Sequence, residues 1–137
     1  MTLAVDASAL VKRYLREPGR DLVIETMGDD SVWCASALAR TEAMVALHRV
    51  AIGPHQQREL WAELREDWDA FVVVPVDDQC QARAVEIGAA FGVRTVDAIH
   101  LAAADRLPRP VSYLTFDRQQ IPAAAALGLD VISPLAP

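Results

Sequence analysis

Four acidic residues, Asp6, Glu42, Asp97 and Asp117, are scattered over most of the chain, yet three sit where a buried element ends or begins and Glu42 sits mid-helix on an apolar stripe, the wrong places for a solvating charge. The other acids mostly fall in surface pairs such as Asp29-Asp30, Asp77-Asp78 and Glu66-Asp67. Carboxylates brought together repel and raise one another's pKa unless a cation intervenes. A cluster with no cysteine or histidine among its ligands selects a hard ion, Mg2+ or Mn2+, over zinc. Such an ion polarises a phosphoryl oxygen and supplies hydroxide for in-line attack, the chemistry of phosphodiester hydrolysis.

Each acid also has a plainer reading. Asp6 follows Leu3-Ala4-Val5 and precedes Ala7-Ser8-Ala9-Leu10, where it makes a good helix N-cap. Asp117, in Thr115-Phe116-Asp117-Arg118, suits a cap or turn. Asp97 falls in the first turn of a helix, where negative charge suits the macrodipole. That helix, however, is apolar nearly all round, with Val96, Ile99 and Ala103 on one side and Ala98, Leu101 and Ala102 on another, so its acid is expected to be buried. Glu42 shares the i, i+4, i+7, i+11 stripe of Leu38, Val45 and Arg49, and is expected to interrupt a core-facing stripe.

The elements that must position these acids follow from periodicity and breakers. Strands are expected at Leu3–Val5, Ser31–Ala35, Phe71–Val76, Val111–Thr115 and Leu129–Ile132. Helices are expected over Ala7–Glu17 (stopped by Pro18 and Gly19), Asp21–Gly28, Ser36–Val50 with Ser36 as N-cap, and Pro54–Ala70. Three more follow at Asp77–Phe91 ending on Gly92, Thr95–Arg106, and Gln119–Leu127 ending on Gly128. Short, continuously apolar strands joined by helices imply an α/β fold with a mostly parallel sheet covered on both faces. Ligands then bind at the C-terminal edge of the strands, where Asp6 and Asp117 project.

The 137 residues, 53% of them hydrophobic and 23% charged, suffice for one compact domain over 1–137 without disulfides. Cys34 and Cys80 read as small buried hydrophobes in a reducing cytoplasm. No basic leader and no apolar run of about 20 residues suggests a membrane segment. The net charge of -6 argues against a nucleic-acid binder, but an acidic site lowers net charge without describing its rim. Twelve of the thirteen cations are arginines, suited to bidentate phosphate contact. Arg40, Arg94 and Arg118 each lie within three residues of one of the acids, and Lys12 and Arg16 share one face of the expected first helix.

Four blocks together carry a family resemblance: Val5-Asp6-Ala7-Ser8-Ala9-Leu10-Val11-Lys12, Ser36 to Ala43, Thr95-Val96-Asp97-Ala98-Ile99-His100-Leu101-Ala102, and Leu114-Thr115-Phe116-Asp117. In order and spacing they resemble the signature blocks of PIN-domain ribonucleases, specifically the VapC toxins of prokaryotic toxin-antitoxin pairs, over residues 2 to about 132. The resemblance implies a three-layer α/β/α domain with strand order 3-2-1-4-5, Mg2+-dependent endoribonuclease activity (Mn2+ a substitute), a homodimer, and inhibition by a VapB-like antitoxin. It assigns the quartet to Asp6, Glu42, Asp97 and Asp117, with Asp6 and Asp97 sharing a metal. Ser8 and Thr115 match hydroxyl positions beside it, and Lys12, Arg40, Arg94 and Arg118 are the candidates for RNA contact. Gln119 and Gln120 stand where some relatives carry a further acid, which leaves a second ion open.

His48, His55 and His100 form no pair suited to metal-free cleavage; His100, one turn after Asp97, is expected to make a structural hydrogen bond. A haloacid-dehalogenase-type phosphatase also begins with a strand ending in Asp, but needs a second acid where Ser8 stands. Leu60, Trp61, Leu64 and Trp68 form one aromatic and aliphatic surface, expected to pack in the core, with a dimer or antitoxin groove as the alternative. A non-cleaving module that binds RNA or an antitoxin is the competing function.

Overall fold

The computed structural model describes residues 2–135. β1 (Thr2–Val5) is followed by α1 (Ala7–Leu10), α2 (Arg20–Asp29), β2 (Val32–Ser36), α3 (Ala37–Val50) and α4 (Gly53–Trp68). Then come β3 (Val72–Val74), α5 (Asp78–Phe91), α6 (Thr95–Asp105), β4 (Val111–Leu114), α7 (Ile121–Ala126) and β5 (Asp130–Ile132). Turns of 3-10 helix occupy Val11–Arg13 and Arg118–Gln120.

The strands pair in the order β3-β2-β1-β4-β5, every neighbour parallel, as the resemblance implies. Parallel neighbours cannot be joined by a tight hairpin, so each connection crosses a face and covers it with helix. The period-two alternation of β1 serves both faces. Leu3 and Val5 enter a core with α1, α2, α3 and α4, while Ala4 enters a second core with α5, α6 and α7. β4 alternates likewise, Leu114 to the first core and Val111 and Tyr113 to the second. The result is three layers, α/β/α.

The chain leaves β1 for β2 and β3, then returns to place β4 on the other side of β1. Strand order therefore reverses between β1 and β4, and a crevice opens there beyond the C-terminal ends. Register sets Val5 opposite Leu114, which makes Asp6 and Thr115 neighbours just past the paired edge. The Asp6 N–H still donates to the Leu114 carbonyl at 3.3 Å.

Several boundaries differ from expectation. The first helix does not reach Glu17: α1 stops at Leu10 and tightens to a 3-10 turn. Beyond it, the Arg13 Nε (2.9 Å) and Tyr14 Oη (2.8 Å) donate to Asp67 of α4, a tertiary bond that bends the chain away from helix. Lys12 and Arg16 consequently share no helical face. Asp67, expected as part of a solvated surface pair, is the acceptor of that bond. β3 is shorter than Phe71–Val76, since Pro75 has no N–H for the ladder. Phe71 instead stacks on Trp68, with ring centroids 5.1 Å apart.

Leu60 and Leu64 are buried, and Trp61 and Trp68 pack against the same core. Trp61 Nε1 donates to the Met44 carbonyl at 2.9 Å. The aromatic surface is thus core packing. Cys34 and Cys80 are free and buried, and burial pushes both thiols up. Among the described residues no single helix is long and apolar enough to cross a membrane.

Candidate active site

Asp6 leaves β1 as the N-cap of α1, its Oδ1 accepting from the Ala9 N–H at 3.0 Å. The cap takes one oxygen only. Oδ2 accepts from Thr115 Oγ1 at 2.8 Å and from Gln120 Nε2 at 3.0 Å, while Ser8 Oγ lies 2.7 and 2.8 Å from the two oxygens. Burial pushes this carboxyl above its usual range, against the lowering pull of His100 and of the Ser8, Thr115 and Ala9 hydrogen bonds.

Asp97, buried in the first turn of α6, accepts from Gln120 Nε2 on Oδ1 (3.0 Å) and from Arg94 Nε on Oδ2 (3.0 Å). Burial raises its carboxyl too; the Arg94 hydrogen bond opposes that, and the charges of Asp117 and Glu42 add to it. Asp117 caps the 3-10 turn by accepting from the Gln119 N–H at 3.0 Å, and its Oδ2 lies 3.4 Å from Gln120 Nε2 and 3.8 Å from an Arg94 nitrogen. Capping and clustering coexist in Asp6 and Asp117, because a carboxylate has two oxygens and a cap needs one.

Glu42 reaches the same crevice from α3, but not by interrupting a core stripe. The core face of α3 is Ala39, Ala43 and Leu47. Leu38, Glu42, Val45 and Arg49 instead line the wall of a cleft of about 510 Å³, with Asp6, Asp97, Asp117 and Arg94 across it. The Glu42 side chain is 40% exposed, and its Oε1 is 3.2 Å from His100 Nε2. His100 is itself buried on α6, with Nδ1 2.8 Å from Ser36 Oγ. Ser36 holds the N-cap position of α3, yet its hydroxyl serves His100 rather than the helix end.

Residues 3–127 match the model of the family described as PIN domain. This chain is a PIN domain protein. It is 34% identical over 135 residues to Ribonuclease VapC46 of Mycobacterium tuberculosis (strain ATCC 25618 / H37Rv), covering 95% of each chain. Two similar solved structures are a toxin-antitoxin complex from Klebsiella pneumoniae and VapBC-5 from Mycobacterium tuberculosis, a member of the VapBC family of toxin-antitoxin systems. The first aligns with a TM-score of 0.71 at 16% identity over 98% of this chain and 99% of that one. The second gives 0.66 at 16% identity over 96% and 98%.

The remaining candidate residues of this PIN domain divide cleanly. Ser8 and Thr115 are at the site, where both hydroxyls donate to Asp6 and accept from the backbone N–H of Phe116 and Asp117. Arg94 is at the rim, its side chain 79% exposed while paired with Asp97. Arg40 is not brought to the cleft: two residues from Glu42 is about 200° around a helix, and its guanidinium lies 5.8 Å from the Trp68 ring centroid. Lys12 pairs with Glu17 at 2.6 Å. Arg118 is exposed in the turn after Asp117. Sequence reasoning missed Arg49 as a cleft residue and Gln120 as a member of the site. The signals for Gln120 were its place where the family resemblance allows a further acid and its position as a polar residue opening an otherwise apolar helix, Ile121–Ala126.

The donor set suits a hard divalent cation: oxygen ligands from Asp6, Asp97 and Asp117 within hydrogen-bond reach of a single point, two of them buried carboxyls held above their usual range. Among the described residues no three or more acid, histidine or cysteine side chains are closed to ligand spacing. The Gln120 amide and the Arg94 guanidinium stand between the carboxylates.

Proposed function

We propose that this PIN domain is a Mg2+-dependent endoribonuclease, with Mn2+ an acceptable substitute, acting as the toxin of a VapBC-type pair. The observation that carries the reading is the convergence of Asp6, Asp97 and Asp117 on one point at the sheet edge, facing Glu42 across the cleft. Identity of 34% to a protein named as a ribonuclease supports RNA as the substrate. A homodimer and a VapB-like antitoxin partner belong to the same reading.

Asp6 and Asp97 would hold the ion, with Asp117 and the more exposed Glu42 acting at its open side. When bound, the ion polarises a phosphoryl oxygen and lowers the pKa of a water for in-line attack, which leaves 5′-phosphate and 3′-hydroxyl ends. Ser8 and Thr115 fix the Asp6 carboxylate. Arg94 presents its free N–H groups at one rim of the cleft and Arg49 stands at the other, both suited to phosphate oxygens. Leu38 and Val45 supply an apolar wall.

The test is cleavage of total cellular RNA by purified, antitoxin-free protein with Mg2+ and with EDTA. Discrete fragments with 5′-phosphate ends, lost on chelation, are the expected result. Cutting that survives EDTA would sink the carboxylate mechanism, and binding of RNA without cutting would favour the non-cleaving module.

His100 acts through Glu42 as a positioning residue. A hydrogen bond to a charged group contributes about 1.5–3 kcal/mol, so His100→Leu is expected to slow cleavage roughly 10- to 100-fold. His100→Gln, whose amide nitrogen can replace Nε2, should recover most of that loss. Full activity in the leucine variant would remove His100 from the mechanism.

A further inference from the structure

Gln120 is 1% exposed, and its Nε2 lies 3.0 Å from Asp6 Oδ2, 3.0 Å from Asp97 Oδ1 and 3.4 Å from Asp117 Oδ2. A primary amide nitrogen carries two hydrogens, so three acceptors share two donors. The orientation of the amide is fixed from behind. Tyr113 Oη donates to Gln120 Oε1 at 2.5 Å, and burial beside the acids keeps that phenol protonated. The backbone is fixed as well, the Gln120 N–H returning to the Asp117 carbonyl at 3.0 Å. The carboxylates therefore meet the positive end of an amide dipole.

We propose that Gln120 is a tethered placeholder: without a divalent ion its amide NH2 holds the convergence point of Asp6, Asp97 and Asp117, and it must withdraw for an ion to enter. The inference rests on the metal-site reading above. An amide ligates hard cations through oxygen, and here the oxygen faces Tyr113 while the N–H groups face the carboxylates. A cation and two N–H donors cannot share one point. The amide thus offsets carboxylate repulsion in the ion-free chain. It also raises the apparent ion dissociation constant in inverse proportion to the fraction of molecules in which the amide leaves the site open.

The experiment is calorimetric titration of the ion-free protein with Mn2+, alongside melting temperatures with and without Mn2+. Gln120→Met keeps the side-chain length and removes both donors; its Mn2+ dissociation constant should fall about tenfold, the placeholder penalty having gone. Its ion-free melting temperature should fall too, with Mn2+ restoring more of it than in wild type. Tyr113→Phe releases the amide from its anchor and should tighten binding about threefold by the same argument, which decides the matter if the methionine variant does not fold. Unchanged affinity beside normal wild-type binding overturns the placeholder and leaves the metal site standing. Weakened affinity overturns it by making the amide a ligand. Absence of Mn2+ binding in wild type and both variants overturns the metal reading and the placeholder together.

Discussion

Asp97→Asn is expected to abolish cleavage while raising the melting temperature of the ion-free protein. The carboxyl of Asp97 is buried and held above its usual range. An acid whose folded pKa is raised contributes stability below its unfolded pKa and loses it as pH rises through the folded value, so at neutral pH the ionised group is a cost. Asparagine keeps an oxygen for the Gln120 N–H. Its amide end meets Arg94, whose guanidinium is largely exposed and free to turn into water. Removing one charge should therefore stabilise the ion-free fold. If Asp97 holds the ion as proposed, losing that ligand should cost at least about 10³-fold in rate, since such an ion supplies several kcal/mol of transition-state stabilisation. Single-turnover cleavage and thermal melting measure the two effects. Cutting within tenfold of wild type would remove Asp97 from the metal site, and a lower melting temperature would make its pairing with Arg94 a net structural gain.

Asp6 is the wrong residue for this experiment, since Ala9, Ser8, Thr115 and Gln120 all donate to it. Asparagine there would turn an N–H donor towards donors, and lost stability would blur the lost activity.

The sequence located the sheet and its edge because parallel strands buried on both faces leave continuous apolar runs, and breakers such as Gly92 and Gly128 mark helix ends. Glu42 is the instructive residue. Leu38 and Val45 make its stripe look like core, yet they line an open cleft, and the inward face carries only Ala39, Ala43 and Leu47. Hydrophobic spacing does not distinguish the apolar wall of an open cleft from the face of a core. Boundaries set by tertiary bonds, such as the end of α1 drawn off by Asp67, leave no local mark. Nor does the place of Gln120 among three carboxylates, the farthest of which lies 114 positions from it in sequence.

Gly19→Ala is expected to lower stability by about 3 kcal/mol, summing backbone strain of up to a few kcal/mol with the displacement of a packed ring. Gly19 holds φ 103° and ψ -20° at the N-cap position of α2, a region that side chains disfavour. A Cβ there would sit 2.4 Å from Phe116 Cε2 and 2.9 Å from its Cζ. The ring packs against the first core, and the Phe116 N–H donates to Ser8 Oγ at 2.9 Å, between Thr115 and Asp117. Pushing the ring aside thus pulls on the backbone that carries Thr115 and Asp117. Misplacement of catalytic groups by about 1 Å can cost roughly 10²-fold, so cleavage should fall along with stability. Phe116→Leu separates the two contributions: it relieves the clash but not the backbone strain, and should cost less in the Gly19→Ala background than in wild type. Denaturant midpoints of the wild type, the two single variants and the double variant give that coupling. Additive losses would mean that the strain at Gly19, rather than its closeness to Phe116, keeps the position free of a side chain.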